Sequence, residues 1–190
     1  MKKYSTMITK EYIPDWGVED GVREVIANAL DSDSQFVFDI GLDYIELTSK
    51  NTTLDIGCFL LGVSGSRGKK DNVGTHGEGI LISNVPILRG GAQVDIFNGD
   101  LLWQPAFEMD YNFNKEVLVI NETQGKVGNK DYTVIISNLD QDTIDTVIHN
   151  CLYLQDKDSL GNYATAKCGS RVFFDMKGKL YVGEIGRAHV

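Results

Sequence analysis

The stretch Arg23-Glu24-Val25-Ile26-Ala27-Asn28-Ala29-Leu30-Asp31-Ser32 carries two periodicities at once. Glu24, Asn28 and Asp31 stand at i, i+4 and i+7, which stacks a carboxylate, a carboxamide and a second carboxylate on one stripe of a helix. Val18, Val22, Val25, Ile26 and Ala29 form a separate apolar stripe suited to packing on a sheet. A helix divided in this way can hold a metal and a water beside a phosphate. The same stripe also fits an ordinary solvated face, and taken alone it favours that reading, because charge stripes are common.

Outward from this helix, expected over Val18–Ser32, the chain alternates short elements. Pro14-Asp15-Trp16-Gly17 reads as a turn with Asp15 as the helix cap. The residues up to Ile13 supply a short strand or arm. Gln35–Ile40 and Asp43–Thr48 have strand alternation and meet at Gly41-Leu42. Ile56–Gly62 is a short apolar helix, and Ser64–Val73 is too polar and glycine-rich to build a core. A second helix is expected from near Gly77 to just before Gly90, with Pro86 kinking or stopping it. Strands follow at Gln93–Phe97 and Leu101–Phe107, turning at Asn98-Gly99, then at Val117–Asn121 and Tyr132–Ser137. A helix over Asp140–Leu152 precedes a last hairpin, Arg171–Phe174 with Leu180–Val182, turning at Lys177-Gly178. Early helices followed by antiparallel strands predict an α/β two-layer sandwich: a mixed, mostly antiparallel sheet with helices on one face.

The bulk composition fits a single soluble domain. A chain of 190 residues with 42% hydrophobic residues can bury one core. A net charge of −9 and a pI near 4.7 oppose a broad nucleic-acid or anionic-membrane surface. Arg67, Lys69 and Lys70 are the best local basic patch. Cys58, Cys151 and Cys168 lack metal-ligand spacing, which predicts a reducing, cytoplasmic setting without structural zinc. No apolar run approaches membrane-spanning length.

The stretch Gly74-Thr75-His76-Gly77-Glu78-Gly79 raises the stakes for the first helix. Its glycines permit close backbone approach to phosphate oxygens, and the helix it opens offers free N–H groups and a positive dipole end. No strand precedes it directly, as a dinucleotide fingerprint requires, and no Gly-Lys-Ser/Thr ending makes it a Walker motif. His76 could donate to a phosphate or cap the helix, and Glu78 suits the helix start.

Glu-x-x-x-Asn-Ala-x-Asp on the first helix, followed by Gly-x-x-Gly-x-Gly after a polar loop, resembles the GHKL ATPase family. That family includes the gyrase B subunit, heat-shock chaperones, histidine kinases and MutL, and shares the Bergerat fold. The likeness runs from Tyr12 to Ile136. It implies ATP and Mg2+ as ligands. It casts Glu24 as general base for the attacking water, Asn28 as magnesium ligand and Asp31 as a residue framing the nucleotide. Gly74, Gly77 and Gly79 would face the phosphates, Thr75 and His76 between them would belong to the nucleotide site, Ser64–Val73 would form the lid, and Thr133 would support the adenine. Tyr12-Ile13-Pro14-Asp15-Trp16-Gly17 and Leu60-Leu61-Gly62-Val63-Ser64 look like the phage rIIA-type subgroup, which implies action inside an infected bacterium.

The same chemistry follows from the residues themselves. Phosphoryl transfer needs positioning, charge neutralisation and a base near the nucleophile. Asn28 offers a neutral oxygen suited to a magnesium that keeps several waters, and Glu24 lies one turn away. The adenine end departs from the family. Asp55-Ile56-Gly57 has the family's Asp-x-Gly letters but lies only seven residues before Gly62. Counting from the second strand points instead to Ser49-Lys50-Asn51. Both positions stay open as readers of the base.

Residues 1–183 are therefore expected to form one GHKL-type ATP-binding domain that hydrolyses slowly. Its lid would couple nucleotide state to a homodimer partner, an unknown protein or a downstream domain. The alternatives are a non-hydrolysing nucleotide-sensing module and a histidine-kinase-type ATPase domain. Residues 184–190 do not continue the strand alternation. Back-translated as GAG-ATC-GGA-AGA-GCA-CAC-GTC, they match, apart from the first base, the start of a common short-read sequencing adapter. They are expected to be read-through, with the gene continuing past Gly183.

Overall fold

A computed structural model describes residues 1–30, 35–61, 79–156, 160–165, 171–175, 179–182 and 185–189. The chain divides into two compact units, Met1–Ile144 and Asp145–Val190.

The first unit is built on a seven-stranded sheet. Its strands are β1 (Lys2–Thr9), β2 (Phe36–Ile40), β3 (Tyr44–Ser49), β4 (Gln93–Asn98), β5 (Leu101–Asp110), β6 (Lys115–Gln124) and β7 (Tyr132–Ser137). Their order is β1-β6-β5-β4-β7-β3-β2, and every ladder is antiparallel. The sheet is thus antiparallel throughout, where a mixed one was expected. The long connection from β3 to β4 carries helix α2 (Gly79–Arg89), and β7 then enters between those two strands. This late insertion closes the sheet's centre.

Alternation sets the two faces of the sheet. Ile45 and Leu47 of β3, Val134 and Ile136 of β7, Val94 and Ile96 of β4, and Trp103 of β5 are all buried on one face. Helix α1 (Val18–Leu30) and α2 lie together on this side, with Val22, Ile26, Leu81, Val85 and Ile87 fully enclosed. The mixed α/β architecture with a large antiparallel sheet matches the expected class. Pro86 lies within α2 without ending it; the helix continues to Arg89 and Gly90 N–H donates to the Pro86 carbonyl at 3.0 Å.

Three local expectations change. The start of α1 is capped by Asp20, whose carboxylate accepts from the Gly17 N–H at 3.0 Å, half of a capping box, and Asp15 plays no such part. The β4–β5 turn residues are Gly99 and Asp100, with Gly99 at φ 56°, because Asn98 still pairs with Leu101 in the ladder. The expected Ile56–Gly62 helix is a single 3₁₀ turn over Ile56–Phe59.

In the second unit, β8 (Tyr163–Thr165) pairs with β9 (Arg171–Phe173), and β10 (Lys179–Val182) pairs with β11 (Ile185–His189). The expected hairpin between the strands now called β9 and β10 is therefore not formed. Two closer partners win: Phe174 N–H donates to the Asn162 carbonyl at 2.9 Å, extending the β8–β9 pairing, and the Tyr163 and Phe173 rings sit 5.5 Å apart. Residues 185–189 enter a ladder without apolar alternation, since backbone pairing alone does not require it. Helix α3 (Gln141–Asn150) crosses the division between the units.

At the β1 end of the sheet, Glu122 is only 6% exposed. It accepts from the Trp103 indole at 3.0 Å and from the Tyr4 hydroxyl at 3.4 Å, and pairs with Lys2 at 3.1 Å. Burial alone would raise the Glu122 carboxyl. The Trp103, Lys2 and Tyr4 contacts outweigh it and hold the group below the usual glutamate range. A depressed carboxylate contributes stability above its unfolded value, lost as pH falls through the folded one. Urea midpoints from pH 7 down to pH 3 should therefore fall less steeply in Glu122→Gln than in wild type. Parallel acid limbs would contradict this.

Candidate functional site

A pocket of about 90 Å³ opens between α1, α2 and the helix-covered face of the sheet. Its floor is Leu47, Ile96 and Val134, and its helical walls are Val25, Asn28 and Ala29 from α1 with Ile80, Ser83 and Asn84 from α2. Ser49 and Tyr132, partners across β3 and β7, close one end together with Thr52 and Leu54. The space exceeds what one water requires several-fold.

The expected helix stripe splits on this wall. Asn28 faces the pocket, and its Nδ2 is buried without a hydrogen-bond partner. An unpaired buried amide costs about 1–3 kcal/mol, so a group in the pocket that satisfies it would bind with that advantage. Glu24 lies outside the lining, with its side chain 20% exposed and its carboxylate 3.6 Å from the Arg23 guanidinium. Arg23 itself is held by Asp20 at 2.9 Å and lies over the Trp16 ring at 5.5 Å. Asp31 is outside the described residues.

Of the glycine cluster, Gly79 is described; Gly74, Thr75, His76 and Gly77 are outside the described residues, as are the expected lid and its Arg67, Lys69 and Lys70. Gly79 opens α2 directly against Asn28. A Cβ built on Gly79 would stand 2.8 Å from Asn28 Nδ2 and 3.1 Å from its Oδ1. The two motifs, far apart in sequence, thus meet at one wall of the pocket, and only glycine leaves the Asn28 carboxamide its present place.

The adenine-end candidates separate clearly. Asp55 is exposed, and its carboxylate caps the 3₁₀ turn by accepting from Gly57 N–H at 2.8 Å; it does not line the pocket. Thr133 is turned to the opposite face of β7, its hydroxyl 2.8 Å from that of Thr48, because its neighbours Tyr132 and Val134 take the pocket side. Ser49 does line the pocket.

Two supporting residues carry no obvious sequence signal. Asn98, 5% exposed, clamps Leu54 at both ends of its backbone: it accepts from Leu54 N–H and donates to the Leu54 carbonyl, each at 2.8 Å. Asp131 accepts from Asn51 N–H at 2.9 Å and pairs with Lys50 at 3.0 Å. The Asn51 N–H, then Lys50, holds its carboxyl below the usual aspartate range. Together they fix the 50–54 wall from the ends of β4 and β7. In sequence Asn98 looked like a turn residue, and only the buried alternation of β4 marks it otherwise.

Two groups near this end, the Cys58 thiol and the Tyr132 phenol, stay uncharged at neutral pH. Burial, then the nearby Asp55, pushes the Cys58 thiol up to about 12. Burial, then Cys58, raises the Tyr132 phenol above its ordinary value. Among the described residues no cluster of three or more His, Cys, Asp or Glu side chains could hold a metal, and no helix is long and apolar enough to cross a membrane. No protein-family model matches the chain, and no curated protein matches it.

Proposed function

We propose that this pocket binds an adenine nucleotide with magnesium, as in a GHKL-type domain of the Bergerat fold, and that the domain hydrolyses ATP slowly. The observation that carries this reading is the meeting of Gly79 with Asn28, whose buried amide lacks a partner on the pocket wall. It is supported by the apolar floor, suited to a flat ring, and by the opening of α2 beside Asn28, where N–H groups favour anions. Asn28 would hold the magnesium as a neutral oxygen ligand once its carboxamide turns, and the metal would neutralise charge on the phosphates. Glu24 would orient and deprotonate the attacking water after release from Arg23. The nucleotide state would govern a homodimer contact, an unknown partner or a downstream domain, in a phage rIIA-like protein of the bacterial cytoplasm.

Titration calorimetry with ATP and magnesium tests this. Wild type should bind, Asn28→Ala should lose tenfold or more in affinity (about 1.4 kcal/mol or more), and Glu24→Ala should bind normally with no turnover. Absence of binding by the wild-type protein would sink the proposal. A second reading, a nucleotide sensor that does not hydrolyse, draws on the Arg23–Glu24 pair and on Glu24 lying off the pocket wall. Binding without turnover in wild type would select it.

A further inference from the structure

We propose that Ser49 reads the purine base in this pocket, and that it admits 6-oxo as well as 6-amino purines. The inference rests on the nucleotide reading above and narrows its substrate class.

Among the described residues, six polar side chains line the pocket, and most are already committed. Ser83 Oγ and Asn84 Nδ2 both donate to the Ile80 carbonyl, at 3.0 and 2.6 Å. Thr52 donates to the Lys50 carbonyl at 3.1 Å. Asn28 stands at the Gly79 wall, where the phosphates would lie. Ser49 and Tyr132 remain, directly opposite each other across β3 and β7 at the end closed by the 50–54 wall. Ser49 is 7% exposed, yet its hydroxyl has no partner among the described residues.

The chemistry of that end sets the selectivity. A carboxylate only accepts hydrogen bonds, so it welcomes a 6-amino group and repels a 6-oxo group. A hydroxyl rotates to donate or accept, and so satisfies either edge. No carboxylate lines the pocket among the described residues; Asp55 is engaged in its cap instead. Burial keeps the Tyr132 phenol protonated, so the second hydroxyl at this end is equally able to donate or accept. Leu47, Ile96 and Val134 hold the ring by area alone, without regard to its substituents.

The test is calorimetry with ATP and with GTP, each with magnesium, on wild type, Ser49→Asp and Ser49→Ala. Wild type should bind the two within about threefold, in line with a difference well under 1.4 kcal/mol. Ser49→Asp should favour ATP by tenfold or more, through loss of GTP. Ser49→Ala should weaken both together. A wild-type preference of tenfold or more for ATP would overturn the inference while leaving the nucleotide reading intact. An unchanged ratio in a folded Ser49→Asp protein would do the same. Binding of neither nucleotide by wild type would remove both.

Discussion

Gly21→Val should leave most of the protein unfolded at room temperature, and Gly21→Ala should lower its stability by about 1–3 kcal/mol. Gly21 sits on α1 where α2 crosses it. A Cβ there would stand 2.6 Å from the Ser83 carbonyl oxygen, 2.7 Å from Ile87 Cγ1 and 3.0 Å from Pro86 Cγ. The first of these is backbone, and Pro86 with the fully buried Ile87 pins the helix beneath, so no flexible side chain can yield. Helix propensity pulls the other way, since alanine gains up to about 1 kcal/mol over glycine in a helix interior. Overpacking wins because the helices must separate to admit the methyl. Valine adds two more carbons at the same place, and a domain of ordinary stability has only about 5–15 kcal/mol to lose. Urea unfolding followed by circular dichroism checks this. A Gly21→Ala protein more stable than wild type would show that the helices slide apart at little cost. Because α1 carries Asn28 and α2 carries Gly79, the proposed nucleotide binding should weaken with the packing.

That contact also marks where the sequence stops informing. The apolar stripe Val18, Val22, Val25, Ile26 and Ala29 announces an amphipathic helix, and α1 does bury Val22 and Ile26. Val25 and Ala29, on the same stripe, line the pocket instead. Periodicity distinguishes a buried face from a wet one, but it cannot distinguish a filled interface from a cavity. A glycine at position 21 carries no hydrophobic signal at all, though it sets how closely two helices approach. Strand existence was legible from alternation, whereas ladder partners were not: Arg171–Phe173 and Lys179–Val182 look like a hairpin until nearer strands claim both.

The candidate site divides the same way. Asn28 and Gly79 were named from spacing and converge in space. Thr133 and Asp55 come from the family resemblance alone, and a period of two and a capping bond turn them away from this pocket. The residues that hold the pocket wall, Asn98 and Asp131, act through backbone groups of distant loops. Such bonds depend on the folded arrangement and leave no local pattern.

Arg89→Met should cost about 3 kcal/mol, and Arg89→Lys should recover less than half of it. Arg89, in the last turn of α2, donates through Nη1 to the carbonyls of Lys10 and Tyr12, both at 3.1 Å. Through Nη2 it donates to those of Ile13 at 3.1 Å and Trp16 at 2.6 Å. A hydrogen bond from a charged donor contributes about 1.5–3 kcal/mol, and four sharing one guanidinium do not add in full. The segment they hold is not relaxed on its own: Ile13 adopts φ 46°, a conformation that disfavours a β-branched residue and persists only under outside constraint. An ammonium has no planar fork and cannot meet four carbonyls arranged around it. Chemical denaturation gives the magnitude, and limited proteolysis should show faster cleavage within residues 10–16 of either variant. A loss below about 1 kcal/mol in Arg89→Met would mean the carbonyls find water as readily as guanidinium. The clamp also reaches the site. It places Trp16 beneath the Arg23 guanidinium, and Arg23 is the partner of Glu24. On the proposed nucleotide reading, releasing residues 10–16 should take Trp16 off Arg23, leaving the Asp20 bridge in place, and alter turnover more than nucleotide affinity, since Asn28 stands against Gly79 at the α1–α2 contact.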